Sequence, residues 1–361
     1  MFIMRFLQIS EIIKKNFLQE LRDANAGKPT SLRFIKQNFP LLKPIKPLET
    51  FQVLVIGGTI LKKALIKKDG HLTEIIDYHE KEHPLLLTKD QFFNYLHDNL
   101  YDSVNIAAIN FAYPINPILR NGKMDGILLS GGKGNLLNGL EGVMVGKNLE
   151  DHLLNKYQRK MRVFVVNDVI CLLASLPQDQ PKEKIIGAIM GTGTNLSFYE
   201  KDYAVNIQSG GFDKFSPSNE CIEIDKDSPR PGKSLFEKET AGAYLYKQFN
   251  YLVVKNKINY SLINSTKELY ESVLNDKNTE VKTLAHMLFE KSAAYFASQT
   301  AGLAFFKNEP INVIMEGSLY WENPFYRELF SDYLKILSPK FEIKILKVDN
   351  SSIIGAANLL T

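Results

Sequence analysis

The sequence predicts an α/β protein, because strand-like and helix-like segments alternate along both halves of the chain. Short apolar runs, such as Ile185–Met190, have the length of buried strands and end in glycine-rich or polar turns. Longer segments, such as 279–306, repeat apolar residues at helical spacing. Each half also contains a glycine-rich turn followed by strand–helix units. At 361 residues, the chain is long enough for two domains.

The first half opens with helical periodicity over residues 2–22, and a proline-punctuated linker follows. Strands at 51–56 and 61–67 flank the segment Gly57-Gly58-Thr59, which predicts a hairpin turn. Thr88 is suited to cap a helix at 88–100. The other predicted elements are strands at 106–111, 126–129 and 163–166 and helices at 149–160 and 170–175.

The second half follows the same plan more loosely. It begins with strands at 185–190 and 196–199, and a turn-rich stretch then extends over 209–233. The elements predicted after it are helices at 234–254, 265–275, 279–306 and 324–337, strands at 311–315 and 341–348, and a short terminal helix.

Composition excludes several classes of function. The net charge is only +4, and Lys and Arg are spread along the chain, so we expect no nucleic-acid partner. Two cysteines, Cys171 and Cys221, provide neither a disulfide framework nor a metal cluster. No apolar stretch approaches the roughly 18 residues of a membrane span, and the first residues lack a signal-peptide pattern. We therefore expect a cytoplasmic protein, and the sequence leaves its oligomeric state open.

Two motifs carry the chemistry. An apolar strand ends on Asn167-Asp168, which places one carboxylate where a general base can meet a hydroxyl group. A later strand ends on the segment 191–195, whose glycines and threonines can hold phosphate oxygens. A base beside a phosphate cradle suggests phosphoryl transfer to an alcohol. Taken alone, Asn167-Asp168 is equally well a structural helix cap.

Between Phe51 and Ala357, seven segments resemble motifs of the eukaryotic-type hexokinase family in the same order. The resemblance implies a two-lobed actin-like ATPase fold, which is ribonuclease H-like, with a cleft between a small and a large domain. It divides the chain into an N-terminal helix and linker (1–45), a small domain (46–167) and a large domain (168–361). The last few residues are expected to return to the small domain.

The resemblance also implies the sugar site. Asp168 becomes the general base, and Gln208 stands where the family has Glu. The expected contacts of the hexose are Lys133, Asn167, Asp168, Asn195, Gln208 and Glu237.

The same resemblance implies ATP and Mg²⁺ as cofactors and assigns no metal ligand. The family's Asp of the first phosphate motif is Val55 here, and two glycines of the last motif are Ser351 and Ile353. The expected ATP-binding residues are Gly57, Gly58, Thr59, Lys62, Gly191, Thr192, Gly193, Thr194, Gly317, Ser318 and Ser352.

Three functions remain open at this stage. The first is ATP-dependent phosphorylation of a hexose, with glucose expected, at the 6-hydroxymethyl group. The second is a catalytically impaired, hexokinase-like protein that binds sugar or regulates a partner, since the departures concentrate in the metal and nucleotide motifs. The third is another phosphotransferase or nucleotide hydrolase of the same superfold. His79 and His83, four residues apart, are expected to be exposed rather than to bind a metal.

Overall fold

A computed structural model describes residues 4–38, 49–69, 72–131, 137–176, 181–201 and 203–360. These residues form the α/β protein that the sequence predicts. The helices are α1 Leu7–Asn25, α2 Lys89–His97, α3 Val145–Tyr157, α4 Asp168–Leu173, α5 Asn219–Lys226, α6 Leu235–Thr240, α7 Gly242–Lys255, α8 Thr266–Asn275, α9 Thr279–Lys307, α10 Ser318–Trp321, α11 Pro324–Leu337 and α12 Ser351–Asn358.

The strands alternate with these helices, as the apolar runs predicted. They are β1 Ile35–Asn38, β2 Thr50–Ile56, β3 Ile60–Asp69, β4 Leu72–Glu82, β5 Ile106–Phe111, β6 Ile115–Arg120, β7 Lys123–Leu128, β8 Arg162–Asn167, β9 Ile185–Met190, β10 Thr194–Glu200, β11 Tyr203–Asn206, β12 Ile311–Glu316 and β13 Ile343–Leu346.

The chain folds into two compact units that interleave along the sequence. Unit 1 contains residues 1–34, 184–196 and 207–347, and unit 2 contains 35–183, 197–206 and 348–361. The borders of these units differ from those predicted at residues 45 and 167, because α1 packs on α9 and the C-terminal α12 packs on α4. The functional assignment of the three predicted domains stays a prediction.

Unit 1 is organised around β9, β12 and β13, which run parallel, and around the long helix α9. Residues 291–304 of α9 are buried on all sides. Gly302 allows α1 to approach closely, since a Cβ there would lie 3.1 Å from a ring carbon of Phe17. The helix that the sequence predicts at 279–306 is thus the core of this unit.

Unit 2 contains a five-stranded sheet in the order β4-β3-β2-β5-β8. Strands β4, β3 and β2 are antiparallel neighbours, whereas β2, β5 and β8 are parallel. The three parallel strands end side by side, because Ile56, Phe111 and Asn167 are partners in register. The predicted hairpin at Gly57-Gly58-Thr59 and the predicted base therefore lie at one edge of one sheet.

Three predicted elements are wrong. The stretch 209–233 contains α5, whose N-cap Ser218 accepts a hydrogen bond from Cys221 N. The helix predicted at 234–254 is interrupted at Ala241, which has extended backbone angles. The linker contains β1, which pairs with β11. In each case, contacts with distant residues decide the local conformation.

Candidate active site

The second phosphate motif forms the turn between β9 and β10. Gly191 N donates to Gly193 O at 3.0 Å, which closes the turn. From the start of α7, Gly242 N donates to Gly191 O at 2.8 Å and Ala243 N donates to Thr192 O at 3.2 Å. The turn is therefore fixed through its carbonyl oxygens.

Gly317 brings the predicted adenosine motif against this turn. Its φ of 127° suits glycine, and a Cβ there would lie 2.1 Å from Met190 O. A Cβ on Gly191 would lie 3.2 Å from Gly317 Cα, so the two backbones are in contact. Unit 1 thus brings six predicted nucleotide-binding residues together, namely Gly191, Thr192, Gly193, Thr194, Gly317 and Ser318.

Three predicted sugar contacts lie where this turn continues into β10. Thr194 N donates to Glu237 Oε2 at 3.3 Å, and Ser209 N donates to Asn195 Oδ1 at 3.1 Å. Gln208, with a left-handed φ of 56°, directly precedes Ser209. Gly210 packs closely against Glu237, since a Cβ on Gly210 would lie 3.0 Å from Glu237 Cβ. Asn195, Gln208 and Glu237 therefore converge within unit 1.

Two buried ion pairs on neighbouring residues hold Glu237 in place. Lys238 pairs with Asp225 and also donates to Ser228 Oγ at 2.8 Å. Burial opposes ionisation of Asp225, but Lys238 holds the pKa of this carboxyl below its usual value. The Lys238 side chain is only 4% exposed. Its contacts with Asp225 and Ser228 join α6 to the residues that precede it.

The second ion pair joins Glu239 to Lys291 of α9, and both side chains are buried. Glu239 also accepts hydrogen bonds from Ser218 N at 2.8 Å and Ser218 Oγ at 2.7 Å. Lys291 in addition pairs with Glu220 at 2.7 Å, and this contact outweighs burial and lowers the pKa of Glu220. This network was not predicted from the sequence. The sequence signal for it is Lys291, a lysine at the start of the small and apolar run of α9.

In unit 2, the side chain of Asn167 hydrogen-bonds to three other residues. Its Nδ2 donates to Phe111 O and to Tyr113 O, both at 3.2 Å, and its Oδ1 accepts from Asn206 Nδ2 at 2.8 Å. The residue is 3% exposed. Since both amide hydrogens have acceptors, the expected donation from Asn167 to a sugar hydroxyl would require one of these bonds to break.

Asp168 follows at the first position of α4. Its Oδ1 accepts a hydrogen bond from Val169 N at 2.8 Å, and the side chain is half-buried. This bond orients the carboxylate, as a general base requires. Asn167 therefore fixes the end of β8, and Asp168 presents a carboxylate next to it.

The first phosphate motif is the hairpin between β2 and β3. Gly57 N donates to Ile60 O at 3.0 Å, and Val55 pairs in register with Lys62. On the other side, Val55 pairs with Asn110, whose Nδ2 donates to Ser352 O at 2.9 Å. Gly57, Gly58, Thr59, Lys62 and Ser352 thus all belong to unit 2.

Three further expectations concern Lys133, a metal ion and two histidines. Lys133 lies outside the described residues. Among the described residues, no three His, Cys, Asp or Glu side chains are grouped so that they could hold a metal ion. His79 on β4 is exposed, as expected, and contacts Asp77 at 3.1 Å, whereas His83 is half-buried.

Comparison with known proteins finds similarity to hexokinases. The hexokinase family model matches residues 255–361. The hexokinase of Schistosoma mansoni is 26% identical over 281 residues, covering 62% of each chain. Hexokinase-1 of Saccharomyces cerevisiae is 26% identical over 271 residues, covering 64% of this chain and 55% of the yeast protein.

Solved structures agree with these matches. The S. mansoni hexokinase complexed with glucose superposes with a TM-score of 0.79 at 21% identity, over 98% of this chain and 95% of that one. A ROK-family glucokinase from Streptomyces griseus, in complex with glucose and AMPPNP, gives 0.59 at 15% identity, over 86% and 99%. This chain is similar in sequence and in fold to hexokinases. Its fold is the actin-like ATPase fold that the motif order implied.

The chain spans about three fifths of the length of the curated relatives that it matches first. Its described residues contain no helix that is both long and apolar enough to cross a membrane. The hexokinase-family motif that is matched residue for residue, at 191–195, lies in unit 1, and the motif that has lost its Asp, at Val55, lies in unit 2.

Proposed function

We propose that this chain transfers the γ-phosphoryl group of MgATP to the 6-hydroxymethyl group of a hexose, with glucose as the substrate. The observation that carries the proposal is the bond from Thr194 N to Glu237 Oε2 at 3.3 Å. Through this bond, the last residue of a phosphate turn holds the carboxylate expected to bind sugar. A sugar and a phosphate would then be bound by one rigid segment. The glucose and AMPPNP bound by structural relatives support the same substrates.

The sugar hydroxyls would be held mainly by polar atoms of unit 1. The carboxylate of Glu237 accepts hydrogen bonds, whereas the amide of Gln208 both donates and accepts. Asn195 and Lys133 complete the proposed set. Gln208 in place of the family's Glu removes one acceptor oxygen. We therefore expect weaker binding of the two sugar hydroxyls that a carboxylate at this position would accept from.

Asp168 would act as the general base. Its carboxylate would accept the proton of the 6-hydroxyl as the oxygen attacks the γ-phosphorus, and the terminal bridging oxygen would leave with ADP. The bond from Val169 N to Oδ1 orients the carboxylate that would accept this proton.

The nucleotide phosphates would meet the Gly191–Thr194 turn. Thr194 is 4% exposed, and its Oγ1 has no hydrogen-bond partner within the described residues. A buried hydroxyl without a partner is costly, and a ligand oxygen would remove that cost. Gly317 and Ser318 would lie beside the same nucleotide.

The hairpin of unit 2 does not fit a metal held by the protein. Val55 supplies no oxygen where the family has Asp, and Mg²⁺ requires oxygen ligands. We therefore treat Mg²⁺ as part of the substrate MgATP and assign it no step of its own.

A second candidate function is sugar binding without efficient catalysis. The specific observation that favours it is Val55, which is 7% exposed and apolar at the position of the family's Asp. Ile353, at a position where the family has glycine, is fully buried and would keep the backbone farther from a nucleotide. This protein would bind a hexose and signal its presence.

A coupled assay of ADP release with MgATP and a panel of hexoses tests the two candidates. We expect ADP release that depends on the sugar, largest with glucose. Calorimetry with each hexose and no nucleotide is the parallel measurement. Sugar binding without ADP release would contradict the kinase and support the sensor, and ADP release without any sugar would support a nucleotide hydrolase.

We also propose a cytoplasmic location. Cys171 and Cys221 are both buried, and neither is in a disulfide bond. Free thiols are typical of a reducing compartment.

A further inference from the structure

The hairpin Gly57-Gly58-Thr59 has a partner that the sequence analysis did not assign to it. His83, the first residue after β4, donates its backbone N–H to Thr59 O at 2.9 Å. Its ring Nε2 lies 3.1 Å from Gly57 O, and its ring Nδ1 lies 2.9 Å from Pro84 O. One residue thus contacts two carbonyl oxygens of the phosphate turn.

The ring contact adds to the backbone contact. A carbonyl oxygen only accepts hydrogen bonds, so the ring holds Gly57 O by donating from Nε2. The His83 ring and the His83 backbone thus bind two different carbonyl oxygens of one turn.

These contacts fix the direction of two carbonyl oxygens. Gly57 O points to the His83 ring and Thr59 O points to the His83 backbone N–H. Backbone N–H groups bind phosphate, and carbonyl oxygens repel it. His83 therefore binds two oxygens of the turn that would otherwise repel a phosphate.

We propose that His83 is a positioning residue for the first phosphate turn, because it holds Gly57 O and Thr59 O so that neither oxygen faces a nucleotide phosphate. The proposal rests on the proposed function, because it names the phosphate of that reaction as the ligand of the turn. It also explains how the turn is organised without the family's Asp at position 55. Gly57 contributes its own closing bond, to Ile60 O at 3.0 Å.

The first experiment needs no catalytic activity. In the full chain without nucleotide, H83A should raise the amide hydrogen exchange of residues 57–60 by roughly fivefold, as expected for the loss of one hydrogen bond. H79A is the matched control, since His79 lies on the same exposed strand and its ring contacts Asp77 rather than the turn. Unchanged exchange in H83A, or an equal rise in H79A, would overturn the proposal.

The second experiment measures affinity for MgATP and for glucose separately by calorimetry. H83A should weaken MgATP binding by about fivefold to tenfold and leave glucose binding within twofold. H83Q, which keeps one side-chain donor, should recover part of the loss. Equal weakening of both ligands would mean a merely structural role and would overturn the inference.

These results are separable from the proposed function. If the unaltered protein binds MgATP but no hexose supports ADP release, the kinase proposal fails while H83A still tests the turn. If the unaltered protein releases ADP and H83A binds MgATP normally, the kinase stands and the role of His83 is wrong.

Discussion

The two phosphate turns of this protein are held by different physical means. In unit 1, the turn at Gly191–Thr194 is enclosed by backbone, since a Cβ on Gly317 or on Gly242 would lie 2.1 or 2.8 Å from a backbone oxygen. In unit 2, the turn at Gly57–Thr59 is held by hydrogen bonds to one side chain and backbone, those of His83.

The difference predicts a different tolerance to substitution. Contacts between backbones leave no space for a side chain, so a substitution at Gly317 or Gly242 would disturb several segments of unit 1 at once. The hairpin of unit 2 depends on hydrogen bonds, which a single substitution at His83 would remove in part.

The largest expected effect concerns the base. In D168A, turnover should fall by about 10³-fold or more, because general base catalysis supplies on the order of 10²–10⁴. Sugar affinity, measured by calorimetry, should change less than about threefold. D98A is a suitable control, because Asp98 is an exposed carboxylate of the same unit. Turnover in D168A close to that of the unaltered protein would refute the assignment.

The next effect breaks the enclosed turn of unit 1. In G317A, the added Cβ would meet Met190 O, and the φ of 127° is strained for alanine, so we expect a loss of about 3 kcal/mol in the free energy of unfolding. Urea denaturation measures this loss.

G122A separates the two causes. Gly122 also has a positive φ, of 74°, but nothing lies within 4 Å of a Cβ there. It should therefore lose only about 1 kcal/mol, from backbone strain alone. Equal losses in G317A and G122A would mean that close packing does not enforce the turn.

The smallest effect restores the missing carboxylate of unit 2. In V55D, the half-saturating Mg²⁺ concentration should fall, or turnover should rise, by roughly fivefold, which is about 1 kcal/mol. V55N has a similar size without the charge and should show neither change. No response in V55D would mean that the metal is organised elsewhere, and the two turns would then differ in packing alone.

Several elements were predictable because their signals are local. The strands Ile106–Phe111 and Ile185–Met190 and the helix Pro324–Leu337 have the predicted bounds. Thr88 caps α2 together with Gln91 in a capping box. Asn323 caps α11, and Pro324 occupies its first turn, where no N–H is needed. Each of these features depends on residues within one or two turns of the chain.

Other elements were not predictable because distant residues decide them. Helix α5 lies in a stretch that reads as turns, and the Lys291 side chain pairs with Glu220 within it. Ala241 breaks the helix predicted at 234–254, where Gly242 N donates to Gly191 O, 51 positions earlier in the chain. The pairing of β1 with β11 joins residues more than 160 positions apart.

The sequence by itself determined the fold class and proposed the site residues, because both follow from the order of its motifs and from its residue types. Only the tertiary structure decided what those residues contact. It gave both amide hydrogens of Asn167 to backbone carbonyls, joined Thr194 to Glu237, and placed His83 against Gly57. The physical reason is that hydrogen bonds between residues far apart in the chain depend on folded geometry, which no local pattern encodes.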